Sequence, residues 1–293
     1  MTELVSGRIL FYDEEERLIT LRHKNHIRTF YLQRSMINSL GKYFGQNKFI
    51  QFVIDSEPRI YRNNKVYNVE YVMKVMAIRY RKNIIYYDYK RIKSGTKDLI
   101  NNLQVKMFLD LEMSMHPYNQ DKSFVQEIIQ VGIHMIDEHD NVIYKYNQNI
   151  RPTIHKKITK RTIKFLKMTQ EEVDQGIEFK EFYHEFRRLV EQYDPAIIVW
   201  GRNDFLALKD AYKINNLPSI HKRTRYINLL KIHKNYFNLK NDLGLFNALN
   251  LYQPRPDEQA HNAYEDAVIT SKIFDGFKKV VNGKKTVDIS TFK

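Results

Sequence analysis

The sequence predicts two folds in one chain, a small β-rich unit followed by an α/β unit. Three observations carry this. The first hundred residues hold short runs of β-branched and aromatic residues separated by turn residues. From Val105 onward, strand-like segments alternate with helical patterns. The 293 residues, 43% hydrophobic, supply a core for one large domain or two unequal ones. The expected boundaries are a basic β-rich domain over 1–82, a basic and aromatic linker over 83–104, the α/β domain over 105–282 and a tail over 283–293.

In the first unit, strands are predicted over Leu4–Phe11, Leu18–Arg22, His26–Tyr31, Lys48–Ile54 and Lys65–Ile78. Asp13-Glu-Glu-Glu, Lys24-Asn25, Pro58 and Asn63-Asn64 mark the turns. A helix is predicted over Ser35–Tyr43. Three strands, a helix and two strands is the order of a small OB-like barrel, and several other small β folds share it. The segment from Arg79 to Lys93 is basic and aromatic, and Ser94-Gly95 breaks it, which predicts a connector.

In the second unit, Val105–Met113 is a strand. Glu127–Ile136 alternates, with Ile129, Val131, Ile133 and Met135 on one face. Asp137–Asn141 is a turn, and Val142, Tyr144 and Tyr146 alternate again. Helices follow over Phe179–Tyr193, Phe205–Ile214, Leu229–Phe237, Asp242–Asn250 and Ala260–Val281, with the apolar strand Ala196–Trp200 between the first two.

Charge and composition narrow the function. The formal net charge is +14, of which about +9 falls in residues 1–104 and about +5 in the rest. Such a field favours polyanions. With 20 Tyr and 17 Phe, basic surface interleaved with rings suits single-stranded nucleic acid, because every base has a face to stack. The absence of Cys excludes a disulfide scaffold, a Cys nucleophile and a thiolate metal site. No secretory signal and no apolar run of about 20 residues is visible, so the expectation is a soluble, cytoplasmic protein without membrane contact.

Three short segments carry chemistry. In Leu109-Asp-Leu-Glu112, the period of a strand points Asp110 and Glu112 to one face and the leucines to the other. Two adjacent carboxylates on an apolar strand repel, and a hard divalent cation relieves that repulsion. In His261-Asn-Ala-Tyr-Glu-Asp266, the acid shares a helical stripe with Ala263, Thr270, Ile273 and Phe277. His261, one turn earlier, titrates near neutrality and can take a proton from water. Trp200-Gly-Arg-Asn-Asp204 follows an apolar strand, where α/β sheets place their sites. Each segment also has a plain structural reading: a strand end in solvent, a capping His with an ion-paired Asp, and a helix cap at Asp204.

Taken together, Asp-x-Glu, Asp and His-x4-Asp resemble the DEDDh family of 3′-to-5′ exonucleases over Val105 to about Val281. Glu127-Ile-Ile-Gln-Val-Gly, Leu166-Lys-Met-Thr-Gln-Glu-Glu-Val and Gly244-Leu-Phe-Asn-Ala-Leu resemble further segments of that family, although Lys167 departs from its usual pattern. Trp200-Gly-x-x-Asp is similar to the branch with KapD-like and Eri-1-like enzymes.

The resemblance implies a ribonuclease H-like domain, a mixed five-stranded sheet flanked by helices. It implies two divalent ions, Mg²⁺ or Mn²⁺, with Asp110 bridging them, Glu112 and Asp266 completing the first site and Asp204 supporting the second. His261 would be the general base. Leu111, Met113, Ser114, Asn203 and Phe205 would contact the last nucleotide. The substrate would be the 3′ end of single-stranded RNA or DNA, with RNA favoured, and nucleoside 5′-monophosphates the product. Residues 1–104 are expected to hold the upstream strand, so that deleting them raises KM more than it lowers kcat.

A competing reading is a regulatory nucleic-acid-binding module on a nuclease-like scaffold. Retention of all the expected acids and the His weighs against it. Other hydrolase patterns fail: there is no Gly-x-Ser-x-Gly and no phosphate loop, and His184-Glu185 lacks a second His, with Arg188 in its place. The acids of Asp137–Asp140 fit a solvated turn.

Overall fold

A computed structural model describes residues 2–80, 82–118, 123–220, 224–239, 241–254, 261–289 and 292 of the chain. The chain divides into two units, one of residues 1–96 with 234–241 and 292–293, the other of 97–233 with 242–291.

The first unit contains β1 (Thr2–Asp13), β2 (Leu18–His23), β3 (His26–Tyr31), α1 (Arg34–Leu40), β4 (Phe49–Tyr61), β5 (Asn64–Arg79) and β6 (Lys82–Asp88). The sheet order is β3-β2-β1-β4-β5-β6. A parallel pairing of Phe30 with Tyr67 and Tyr31 with Asn68 joins β3 to β5 and closes five strands into a ring. With α1 between β3 and β4, this is the OB-like arrangement. Its interior is filled by alternate residues such as Val5, Ile9, Ile19, Leu21, Phe30, Phe52 and Val69.

The segment expected as a connector carries regular structure. Most of it forms β6, paired antiparallel with β5, and α2 (Tyr89–Asn101). Ser94-Gly95 lies inside that helix rather than breaking it. A Cβ added at Gly95 would meet no atom within 4 Å, so the glycine faces open space and leaves no gap in the packing. Arg81 lies outside the described residues.

The second unit contains β7 (Lys106–Met113), β8 (Ile128–Ile136), β9 (Val142–Arg151), α3 (Lys160–Leu166), α4 (Gln170–Asp174), β10 (Ile177–Glu178), α5 (Phe179–Tyr193), β11 (Ala196–Val199), α6 (Asn203–Ile214), β12 (Arg225–Asn228), α7 (Leu229–Phe237), α8 (Leu245–Asn250) and α9 (Ala263–Val281). The sheet order is β10-β9-β8-β7-β11-β12. β7 pairs antiparallel with β8 and parallel with β11, so the sheet is mixed. The five main strands match the expectation, and the two-residue β10 adds a short edge.

The reading of β8 as one-sided needs correction. Every residue from Ile128 to Ile136 is buried. Val131, Ile133 and Met135 pack with Met107, Leu109, Leu111 and the Phe182 and Phe186 rings of α5. The other face lies under α9, where Phe108 meets Phe274 and His134 meets Tyr264. A central strand covered on both sides need not alternate in polarity.

The Asp137–Asp140 turn is structural. Asp137 accepts backbone N–H bonds from His139 and Asn141. Asp140 pairs with the buried Lys106 and with Lys278. Glu185 likewise is held by Arg188 and the Tyr144 hydroxyl.

Candidate active site

Strand periodicity places Asp110 and Glu112 as expected, on the face of β7 that α9 covers. Leu109 and Leu111 enter the opposite core. Across the ladder, Asp110 is opposite Gly132 and Glu112 is opposite Gln130. These β8 residues set the start of α9. The Gln130 side-chain oxygen accepts the Ala263 N–H at 2.9 Å. Gly132 lies so close beneath the helix that a Cβ there would fall 2.1 Å from the Ala263 carbonyl carbon. Only glycine allows this approach.

α9 begins at Ala263, later than the sequence pattern suggested, because Asn262 caps it by accepting from the Tyr264 and Glu265 N–H groups. Residue 260 lies outside the described residues. His261 therefore stands ahead of the cap, not in the helix, and the capping role belongs to Asn262. Glu112, His261 and Asp266 each present a ligand atom, all within 4.8 Å of one another. The Phe165 ring stacks on His261 at 4.3 Å between centroids and 22° between planes.

Asp204 reaches the same place from α6. Gly201, with φ of +118°, turns the chain from β11 toward α6, a conformation that favours glycine. The helix starts at Asn203 with Arg202 as N-cap, so Asp204 is the second helical residue and not a cap. Its Oδ1 accepts the Leu111 N–H at 3.0 Å, tying α6 to the strand between the other two acids. The Trp200 indole N–H donates to the Leu243 carbonyl at 3.1 Å and steadies this corner.

The electrostatics describe four acids in too little solvent. Burial holds Asp110 well above the usual carboxylate range, and the charges of Asp204, Asp266 and Glu112 push it further. Burial, then Asp266 and Asp204, raise Glu112 to about 7. Burial, then Glu265 and Asp204, raise Asp266 to about 7. Asp204 is raised to about 6 by burial, against the pull of its own and the Leu111 N–H. Burial first and the Lys167 charge second lower His261. Asp266 Oδ1 is buried without a hydrogen-bond partner. Clustered oxygen donors, mutual repulsion and an orphaned carboxylate oxygen fit a hard divalent cation.

The expected nucleotide contacts fall in different settings. The Leu111 side chain is core and its N–H is taken by Asp204. Ser114 is buried, its hydroxyl accepting from the Glu127 N–H and its own N–H donating to the Glu127 carbonyl. Met113 is half-buried, Asn203 is exposed at the first position of α6, and the Phe205 ring meets Tyr226. Sequence reasoning missed Phe165, which lies just ahead of the Leu166 segment, and the supporting parts of Gln130 and Gly132, whose only signal was membership of the Glu127-Ile-Ile-Gln-Val-Gly segment.

Residues 107–274 match the family model described as Exonuclease. The chain belongs to the exonuclease family. It is 32% identical over 171 residues to the probable 3′-5′ exonuclease KapD of Bacillus subtilis (strain 168), a match spanning 57% of this chain and 82% of that protein. The exonuclease is thus a phosphodiester hydrolase of 3′-to-5′ type. Its fold is similar to the nuclease domain of 3′hExo, a DEDDh family member solved with rAMP, with a TM-score of 0.53 and 18% identity over 64% of this chain and 97% of that one. It is also similar to cell-death related nuclease 4, with a TM-score of 0.52 and 22% identity over 64% and 67% of the two chains. No helix among the described residues is long and apolar enough to cross a membrane.

Proposed function

We propose that this exonuclease shortens single-stranded nucleic acid from its 3′ end, RNA in preference to DNA, and releases nucleoside 5′-monophosphates. The observation that carries the reading is the convergence of Glu112, His261 and Asp266 within 4.8 Å, beside Asp110 and Asp204. Asp110, Glu112, Asp204 and Asp266 hold two divalent cations, Mg²⁺ or Mn²⁺. Bound there, such ions make water a better nucleophile and stabilise the leaving oxygen.

The chain's own residues do the rest. His261, held low by burial, is neutral at physiological pH and accepts a proton from water on a ring nitrogen. The water oxygen forms a bond to the last phosphorus as the bond to the preceding 3′ oxygen breaks. That oxygen leaves as a 3′-hydroxyl once protonated. Phe165 holds the imidazole in place, and Leu111 holds Asp204. Met113, Asn203 and Phe205 flank the acids and contact the last nucleotide. The preference for RNA draws on the Trp-Gly-x-x-Asp branch and on the rAMP bound to 3′hExo.

The test uses 5′-labelled single-stranded RNA and DNA of one sequence, with Mg²⁺, Mn²⁺ or chelator, beside Asp110→Asn and His261→Ala. The expected result is a metal-dependent ladder shortening from the 3′ end, faster on RNA and lost in both variants. Intact strands under every metal condition would overturn the proposal and favour a binding module.

A further inference from the structure

The outer face of the barrel in the first unit carries a row of residues that its own fold does not use. Strand register aligns Ile27, Arg22, Arg8 and Phe49 across β3, β2, β1 and β4. A β-bulge after Ile9 returns Phe11 to the same face, opposite Thr20. Arg8 and Arg22 are exposed, Ile27 is 65% exposed, Phe11 53% and Phe49 38%.

Two features set this face apart. Arg8 and Arg22 stand directly opposite each other, and neither makes an ion pair among the described residues. Like charges in register cost stability, so the fold gains nothing from them. The exposed rings lie within one or two strands of that charge pair and carry apolar surface into water. The row contains no acid. The acids of the β1–β2 turn lie beyond its far end, and Glu3 is taken up by Arg28.

We propose that this face binds single-stranded nucleic acid, with Arg8 and Arg22 on consecutive phosphates and Phe11 and Phe49 stacking on bases. Guanidinium pairs suit phosphate, and stacking on Phe is indifferent to sequence, as shortening strands of any sequence requires. Barrels of this connectivity commonly bind oligonucleotides on the face of β2 and β3. The proposal takes its ligand class from the exonuclease reading but not its evidence.

The full chain tests it in chelator, where nothing is cut. Anisotropy of a fluorescent oligouridylate of about twenty nucleotides gives Kd against salt. Arg8→Ala/Arg22→Ala is expected to make the logarithmic salt slope shallower by about 1.4, the release of two counterions from a single strand. Phe11→Ala and Phe49→Ala are each expected to weaken binding roughly fivefold or more with the slope unchanged. With Mg²⁺ present, the preference in kcat/KM for that strand over a dinucleotide should shrink with the affinity. An unchanged slope and Kd, or an unchanged preference, would overturn the proposal. If the wild type binds the strand as predicted but cuts neither substrate, the exonuclease reading fails and this one stands.

Discussion

Gly132 and Ala263 touch backbone to side-chain position, with 2.1 Å between a would-be Cβ and the carbonyl carbon. Asp110 lies across the ladder from that glycine, and Asp266 is one turn into the helix that starts at Ala263. The contact therefore sets the separation of two acids that lie far apart in sequence.

Gly132→Ala is expected to push the first turn of α9 off the sheet. A displacement of about 1 Å can cost about 100-fold in rate. Overpacking of this kind costs about 1–3 kcal/mol. Steady-state kinetics should show kcat falling by that order while the chain stays folded by circular dichroism. Unaltered kcat would mean that the helix start is not what aligns the acids.

Phe165→Ala removes the ring that stacks on His261. The expected loss is about tenfold in kcat with a smaller change in KM, a fraction of what a general base contributes. Phe165→Tyr should restore most of it. The imidazole, less covered, should titrate closer to its ordinary value, moving the acid limb of the kcat profile to higher pH. A rate loss with no such movement would point to a purely structural part for the ring.

The four acids make the metal-free chain pH-sensitive. Glu112, Asp204 and Asp266 titrate at about 7, 6 and 7, against 4.5, 3.8 and 3.8 for the free groups. The folded chain thus holds extra protons between about pH 4 and 7, and its stability falls as pH rises through that window. Thermal melts in chelator should show Tm declining from pH 5 to pH 8 (about one to two units either side of the carboxylate values). Added Mg²⁺ or Mn²⁺ should raise Tm most at the alkaline end. Asp110→Asn should flatten the decline.

Glu127 organises the loop that leads from β9 to α3. Its buried carboxylate accepts backbone N–H bonds from Thr153, Ile154 and His155 at 2.6–3.0 Å. Glu127→Ala leaves those donors without a partner and should cost about 3 kcal/mol or more. A lower Tm and urea midpoint would register it, with Glu127→Gln falling between. A change below about 0.5 kcal/mol would show that water replaces the carboxylate.

Much of this molecule was legible from residue order, for local reasons. Period-two alternation is a property of the strand itself, so Asp110 and Glu112 could be assigned to one face and the leucines to the other before any packing was known. Most barrel strands announced themselves by β-branched runs between turn residues, although Pro58, expected at a turn, lies inside β4 opposite Tyr67 beyond an irregularity in the ladder. The helical stripe around Asp266 announced itself by its spacing. β6 and α2 were not legible, because a basic segment interrupted by Ser94-Gly95 lacks the apolar period that marks an element. β12 is only four residues long and carries too little pattern.

Residue types and their spacing thus determined the chemistry on offer, because acidity, basicity and strand or helix period travel with the local chain. Tertiary structure alone decided how those groups meet. Gln130 and Gly132 anchor a helix 133 and 131 positions away, Leu111 binds Asp204 across 93, and Phe165 settles on His261. Burial, which raises all four acids, and the repulsion added at Asp110, Glu112 and Asp266 are likewise properties of the folded state, since only packing excludes the water and brings together charges distant along the chain.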